Sequence, residues 1–279
     1  MYRYLITETY EGYSLKEFLM CFHLSMSKIN RIINEGKFLL NGKIDKNSCL
    51  KKDDELLIYK SVFNENSVLP IFQNIDILYE DEYILVVDKP RNIIIHSDQD
   101  EVTLDRIVAG YLKTCGQDSI PRHTYRLDKD TIGCMVYAKD PLTLSYLSKQ
   151  VETKELKKVY TAIIDGIIND RSGTISSPIS KNRHVNGKMV ISKNGKPAIT
   201  NYEVKKINKG RTLVDLFLET GRTHQIRVHM AHHLFPVVGD IIYGNKKGEE
   251  LQLQASQVTF IHPMNKKRLT INVSHKISL

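Results

Sequence analysis

No apolar run in this 279-residue chain approaches the roughly 18 residues that a membrane-crossing helix needs, so a helical span is excluded. The segment Met-Tyr-Arg-Tyr-Leu-Ile-Thr-Glu at residues 1–8 lacks the uninterrupted apolar core of a secretory signal, and the cytoplasm is the expected location. Cysteine is scarce and scattered. Cys21, Cys49, Cys115 and Cys134 form no Cys-x-x-Cys pair, which argues against a zinc site or a redox couple and leaves free, mostly buried thiols as the expectation. There is no internal repeat and no low-complexity tract.

What remains is globular in composition, 41% hydrophobic and 26% charged, with a formal charge of +8. An excess of Lys and Arg points to an anionic partner, because cations that neutralise phosphates give salt-sensitive affinity. Charge alone does not identify that partner.

Residues 1–60 read as a compact unit. Ser14-Leu15-Lys16-Glu17 fits a capping box, and Leu15, Phe18, Leu19 and Phe22 then follow the spacing of one buried helical face. Ser25 or Ser27 can cap a second helix with Ile29, Ile32 and Ile33 on its inner face, and Gly36 suits the left-handed position after it. Lys28, Arg31 and Lys37 are left for solvent. Phe38 to Lys43 carries an Asn-Gly reversal, and Glu55 to Tyr59 reads as a strand. Residues 61–74 lack a period and read as a linker.

From residue 75 to 279 short strands dominate: Tyr83 to Val87, Met135 to Ala138, Lys158 to Asp165, Thr174 to Pro178, Lys188 to Ser192, Thr200 to Ile207 and Arg211 to Glu219. Thr103 to Leu112 and Asp140 to Thr153 read as helices, the latter with Asp140 as cap and Pro141 in its first position. The fold class is α+β, with a mixed, mainly antiparallel sheet in the second unit and a small α-β unit before it.

The chemistry concentrates in three motifs. Tyr125-Arg-Leu-Asp-Lys-Asp-Thr-Ile-Gly133 sets the carboxylate of Asp128 between a basic residue and a glycine that leads into an apolar strand, an arrangement that fixes and presents a nucleophile. Lys157-Lys-Val-Tyr-Thr-Ala162 places Tyr160 on a strand, and Thr220-Gly-Arg-Thr-His-Gln-Ile-Arg-Val-His229 supplies Arg222, His224 and Arg227.

These motifs, in this order, resemble those of the RluA family of pseudouridine synthases, and Val86-Val-Asp-Lys-Pro90 with Ile95-His96 extends the likeness toward the amino terminus. The departures are Asp88 for Asn, Tyr125 for His, Ile132 for Ser and Gln254 for His. The resemblance implies an RNA-modifying isomerase with Asp128 as catalytic carboxylate, Arg227 as its partner and Tyr160 against the extruded base. Arg126, Lys89, His96, Arg222 and His224 would contact substrate. Residues 14 to 60 are similar to an S4 RNA-binding domain, which would add Lys28, Arg31 and Lys37 to the RNA contacts.

Isomerisation of uridine involves no net redox change, so neither cofactor nor metal is expected. His229, His232 and His233 would share a helix face, but no carboxylate or Cys completes a metal-ligand set. The resemblance points to large-subunit ribosomal RNA as substrate, with transfer RNA as the alternative; a monomer is expected, although the sequence itself does not address oligomeric state. Two readings compete with it: a noncatalytic RNA-binding or ribosome-assembly protein on the same fold, and a glycosidase acting on free nucleosides.

Overall fold

The computed structural model describes residues 1–63, 66–244 and 248–279. The first unit contains β1 (Tyr2–Leu5), α1 (Leu15–Cys21), α2 (Met26–Asn34), β2 (Phe38–Leu40) and β3 (Glu55–Ile58), with the strands in the antiparallel order β1-β3-β2. Ser14 closes the full capping box: the Glu17 amide donates to its hydroxyl, while its own backbone N–H donates to the Glu17 carboxylate. Ser25, not Ser27, caps α2. Asn41 and Gly42 both take positive φ, 48° and 78°, yet the reversal they make pairs Leu40 only with Lys43. The true partner of β2 is β3, with Phe38 opposite Ile58.

The second unit follows with β4 (Asp76–Glu80), β5 (Ile84–Lys89), α3 (Leu104–Thr114), β6 (Arg122–His123), β7 (Ile132–Ala138) and α4 (Pro141–Glu152). Next come β8 (Lys157–Asp165), β9 (Ser172–Ser176), β10 (Ile179–Lys181), β11 (Met189–Ile191), β12 (Ile199–Asn208) and β13 (Arg211–Leu218). The chain ends with α5 (Gln225–His232), β14 (Leu253–Ile261) and β15 (Arg268–Asn272). Ten strands form one sheet in the order β4-β5-β7-β14-β8-β13-β12-β9, with β6 beside β7 and β15 beside β14. Its single parallel contact, among the described residues, joins β7 to β14.

That contact explains Gly133. It has φ 111° and lies within β7, where a Cβ would come 2.3 Å from the carbonyl oxygen of Ala255. Only a residue without a side chain lets the strand that follows Asp128 approach the centre of the sheet so closely.

The two units share one apolar core that runs from Tyr2 and Tyr4 through Phe260 and Met264. Buried polar contacts add to it: the Tyr4 hydroxyl donates to the Asp140 carboxylate at 2.8 Å, and the Tyr10 hydroxyl donates to the carbonyl of Pro263 at 2.5 Å. Arg122 donates to the hydroxyl of Tyr2. Of the segment expected as a linker, residues 64 and 65 lie outside the described residues. Ile71 packs on α3, donating its N–H to the carbonyl of Arg106. Of the thiols expected to be mostly buried, only Cys134 is. Cys21 is half-buried, and Cys49, joined to Ser14 by an isolated β-bridge, and Cys115, in the turn after α3, are exposed.

Candidate active site

Adjacent central strands and one helix converge on a cleft of about 670 Å³. Asp128 enters from the turn before β7, which is closed by the Thr131 N–H donating to the Asp128 carbonyl at 3.1 Å. Tyr160 projects from β8, flanked in register by Leu216 of β13 and Ala255 of β14. Arg126, His96, Arg222, His224 and Arg227 also line the cleft, with Lys129, Asp130 and Lys158.

Arg227 is buried on α5 and does not give Asp128 the bidentate hold that its fork would allow. Its Nε and Nη2 donate to the two oxygens of Asp240 at 2.7 and 2.8 Å, and only Nη1 faces Asp128, 3.5 Å from Oδ2. Asp240 is 1% exposed and follows Gly239, whose φ is 76°. Burial alone would raise the Asp240 carboxyl, but the hydrogen bonds and charge of Arg227, with the amides of Tyr243 and Ile242, hold it below its ordinary value. Burial likewise works against the Arg227 charge, and Asp240 and then Asp128 more than restore it. The result is a fixed cation that leaves the Asp128 carboxylate one free face.

His224 sits in the left-handed region, φ 55°, immediately before α5. Its Nδ1 lies 2.9 Å from the Tyr243 hydroxyl, which also accepts the Met189 N–H at 2.8 Å. The contact turns the other ring nitrogen, Nε2, toward Asp128, 3.9 Å from Oδ2. Burial first, and then Arg227, lower the His224 pKa against the pull of Asp128, which favours the neutral ring. Tyr160 is buried, and burial followed by the charge of Asp128 raises its phenol pKa.

Lys89 departs from its expected place among the substrate contacts. It is 0% exposed, and its ammonium donates to the carbonyls of Pro90, Lys129 and Thr131 at 3.0, 2.7 and 3.0 Å. With all three N–H groups used, it clamps the turn that carries Asp128 and has none left for a ligand. Burial lowers its pKa to about 8.

The first unit's basic residues lie outside the cleft lining. Lys28 is exposed beside the ring of Phe63, and Arg31 is partly engaged by the carbonyl of Val62 and by Glu35. Lys37 is half-buried immediately before β2. His229 faces Thr200 and the carbonyl of Ser177 with its two nitrogens and anchors α5 to the rest of the unit.

Comparison with known proteins settles the family. The family profile described as RNA pseudouridylate synthase matches residues 83–232, a span that contains Asp128, Tyr160 and Arg227. The chain belongs to the RNA pseudouridine synthase family. It is similar to the uncharacterized RNA pseudouridine synthase YhcT of Bacillus subtilis, 39% identical over 78% of this chain and 74% of that protein. It is also similar to the ribosomal large subunit pseudouridine synthase D of Escherichia coli K12, 35% identical over 80% of this chain and 69% of that protein. Among solved structures, the human RNA pseudouridylate synthase domain containing 1 superposes with a TM-score of 0.62, at 25% identity, over 72% of this chain and 84% of that one. The synthase is thus an isomerase of the RluA type, and its first unit lies outside the family match.

Sequence reasoning assigned no role to Asp240, Tyr243, Tyr125 or Lys158. The signal for Asp240 was present: a glycine at 239 whose Cβ would come 2.1 Å from the carbonyl of Glu250 marks a tightly packed turn.

Proposed function

We propose that this synthase converts uridines of large-subunit ribosomal RNA to pseudouridine, with Asp128 as the catalytic carboxylate. The observation that carries the reading is that Asp128, Arg227 and Tyr160 open onto one cleft large enough for an everted nucleotide. The N1–C1′ bond of the target uridine breaks while Asp128 engages the ribose, and the released uracil turns and forms a C5–C1′ bond. The proton on C5 leaves and N1 takes one up, so atoms and electrons balance without a co-reactant. Arg227 keeps the carboxylate ionised and oriented, and Tyr160 stacks on the turning base.

Support for ribosomal RNA comes from the large-subunit function in the name of the Escherichia coli relative and from the first unit, whose two capped helices and closing strand are the elements that the S4-like reading of residues 14 to 60 expects. In this reading Lys28, Arg31 and Lys37 track the phosphate backbone outside the cleft. Pseudouridine mapping in cells lacking the protein tests it. Loss of sites confined to large-subunit ribosomal RNA is expected, and loss confined to transfer RNA would overturn the substrate.

A further inference from the structure

Lys158 and Tyr160 stand two residues apart on β8, on the same face of the sheet, and both line the cleft. The Lys158 ammonium rests 4.0 Å above the centre of the Tyr125 ring. That ring is a fixed platform: it is 8% exposed, stands three residues before Asp128, and donates its hydroxyl to the carbonyl of Cys134 at 2.7 Å.

The surroundings of half-buried Lys158 contrast with those of the two buried lysines of this unit, Lys89 and Lys139. Lys89 donates to three carbonyls, and Lys139 holds the Glu80 carboxylate and the carbonyl of Asp81, both at 2.6 Å. Among the described residues no carboxylate, carbonyl or hydroxyl partners the Lys158 ammonium, which meets only the face of Tyr125. Burial lowers its pKa to about 8. A partly desolvated cation without a counter-ion, open toward a cleft that admits a polyanion, is matched by a formal negative charge rather than by a neutral base carbonyl.

We propose that Lys158, seated on Tyr125, is a further substrate-binding residue that takes a phosphate oxygen of the RNA strand beside the everted uridine. The inference rests on the reading of this cleft as the isomerisation site. One alternate strand position, roughly 7 Å along the strand, separates it from Tyr160, which places the charge beside the base platform rather than over the reacting atoms.

The test measures binding of a uridine-containing RNA at several salt concentrations in the Asp128→Asn background, where turnover does not interfere. Lys158→Met should weaken binding about tenfold and flatten the slope of log affinity against log salt by about 0.7, the value for one lost contact with single-stranded RNA. Lys158→Arg should restore the slope. In the enzyme with Asp128 intact, the loss in kcat/KM should fall on KM. Lys158→Gln serves as a second neutral variant should the Met variant fail to fold. An unchanged salt slope would overturn the proposal, as would a defect confined to kcat with loss of its pH dependence, which would assign Lys158 to proton transfer. Failure of the underlying activity is distinguishable, because it would appear as absent turnover in the unsubstituted protein while the salt slopes still reported the contact.

Discussion

Arg227 commits two of its nitrogens to Asp240 and offers only the third to Asp128. The catalytic candidate is therefore oriented by a cation that is itself locked by a second, fully buried carboxylate. A fork shared in this way cannot swing when substrate enters, and it keeps one edge of Asp128 open.

Removing the lock should cost both stability and activity. Asp240→Ala leaves the Arg227 charge buried with one distant partner, and a loss of about 3–5 kcal/mol is expected in urea unfolding. Turnover should fall at least 100-fold if the misplaced guanidinium no longer orients Asp128.

The same pair sets an acid limit. Asp240 titrates lower in the folded protein than in the unfolded chain, so its contribution is complete above the ordinary Asp range and is lost as the pH falls through the folded value. Melting temperatures of the parent protein and Asp240→Asn should differ most near neutral pH, and the gap should narrow from about pH 4 downward.

Lys89 is predicted to be a structural clamp. Lys89→Met removes the donor from three carbonyls around the Asp128 turn, and a destabilisation of about 3 kcal/mol is expected. RNA binding by the folded fraction should be retained while kcat falls. A binding defect with unchanged stability would instead mark Lys89 as a substrate contact.

Gly133 tests the central strand contact. Gly133→Ala puts a methyl group 2.3 Å from the Ala255 carbonyl oxygen at a φ of 111°, and a loss of about 2–4 kcal/mol is expected. Hydrogen exchange should show the opening at β7 and β14 first.

Local chemistry was the legible part of this sequence. The Ser14 box and the Asp140-Pro141 start are written in adjacent residues, and the structure shows both. β14 escaped sequence reasoning because the alternation of Leu253, Ala255, Val258 and Phe260 slips by one residue at the bulge between Ala255 and Gln257, which breaks the period-2 pattern in the middle of the strand. β1 and β4 were not foreseen either. At the site, the motifs pointed to the residues that line the cleft but not to how their charges are distributed. Arg227 pairs with Asp240, 13 positions further along the chain and beyond the end of α5, and no spacing rule predicts that. Lys89 was expected to contact substrate, and its burial against three carbonyls could not be read from its motif, because lysine is rarely fully buried.

The most direct measurement is tritium release from RNA carrying 5-tritiated uridine, because only substitution at C5 frees that label. The parent protein should release tritium, and Asp128→Asn should release none while binding the same RNA with similar affinity. Release by Asp128→Asn at the parent rate would contradict the assignment of the carboxylate.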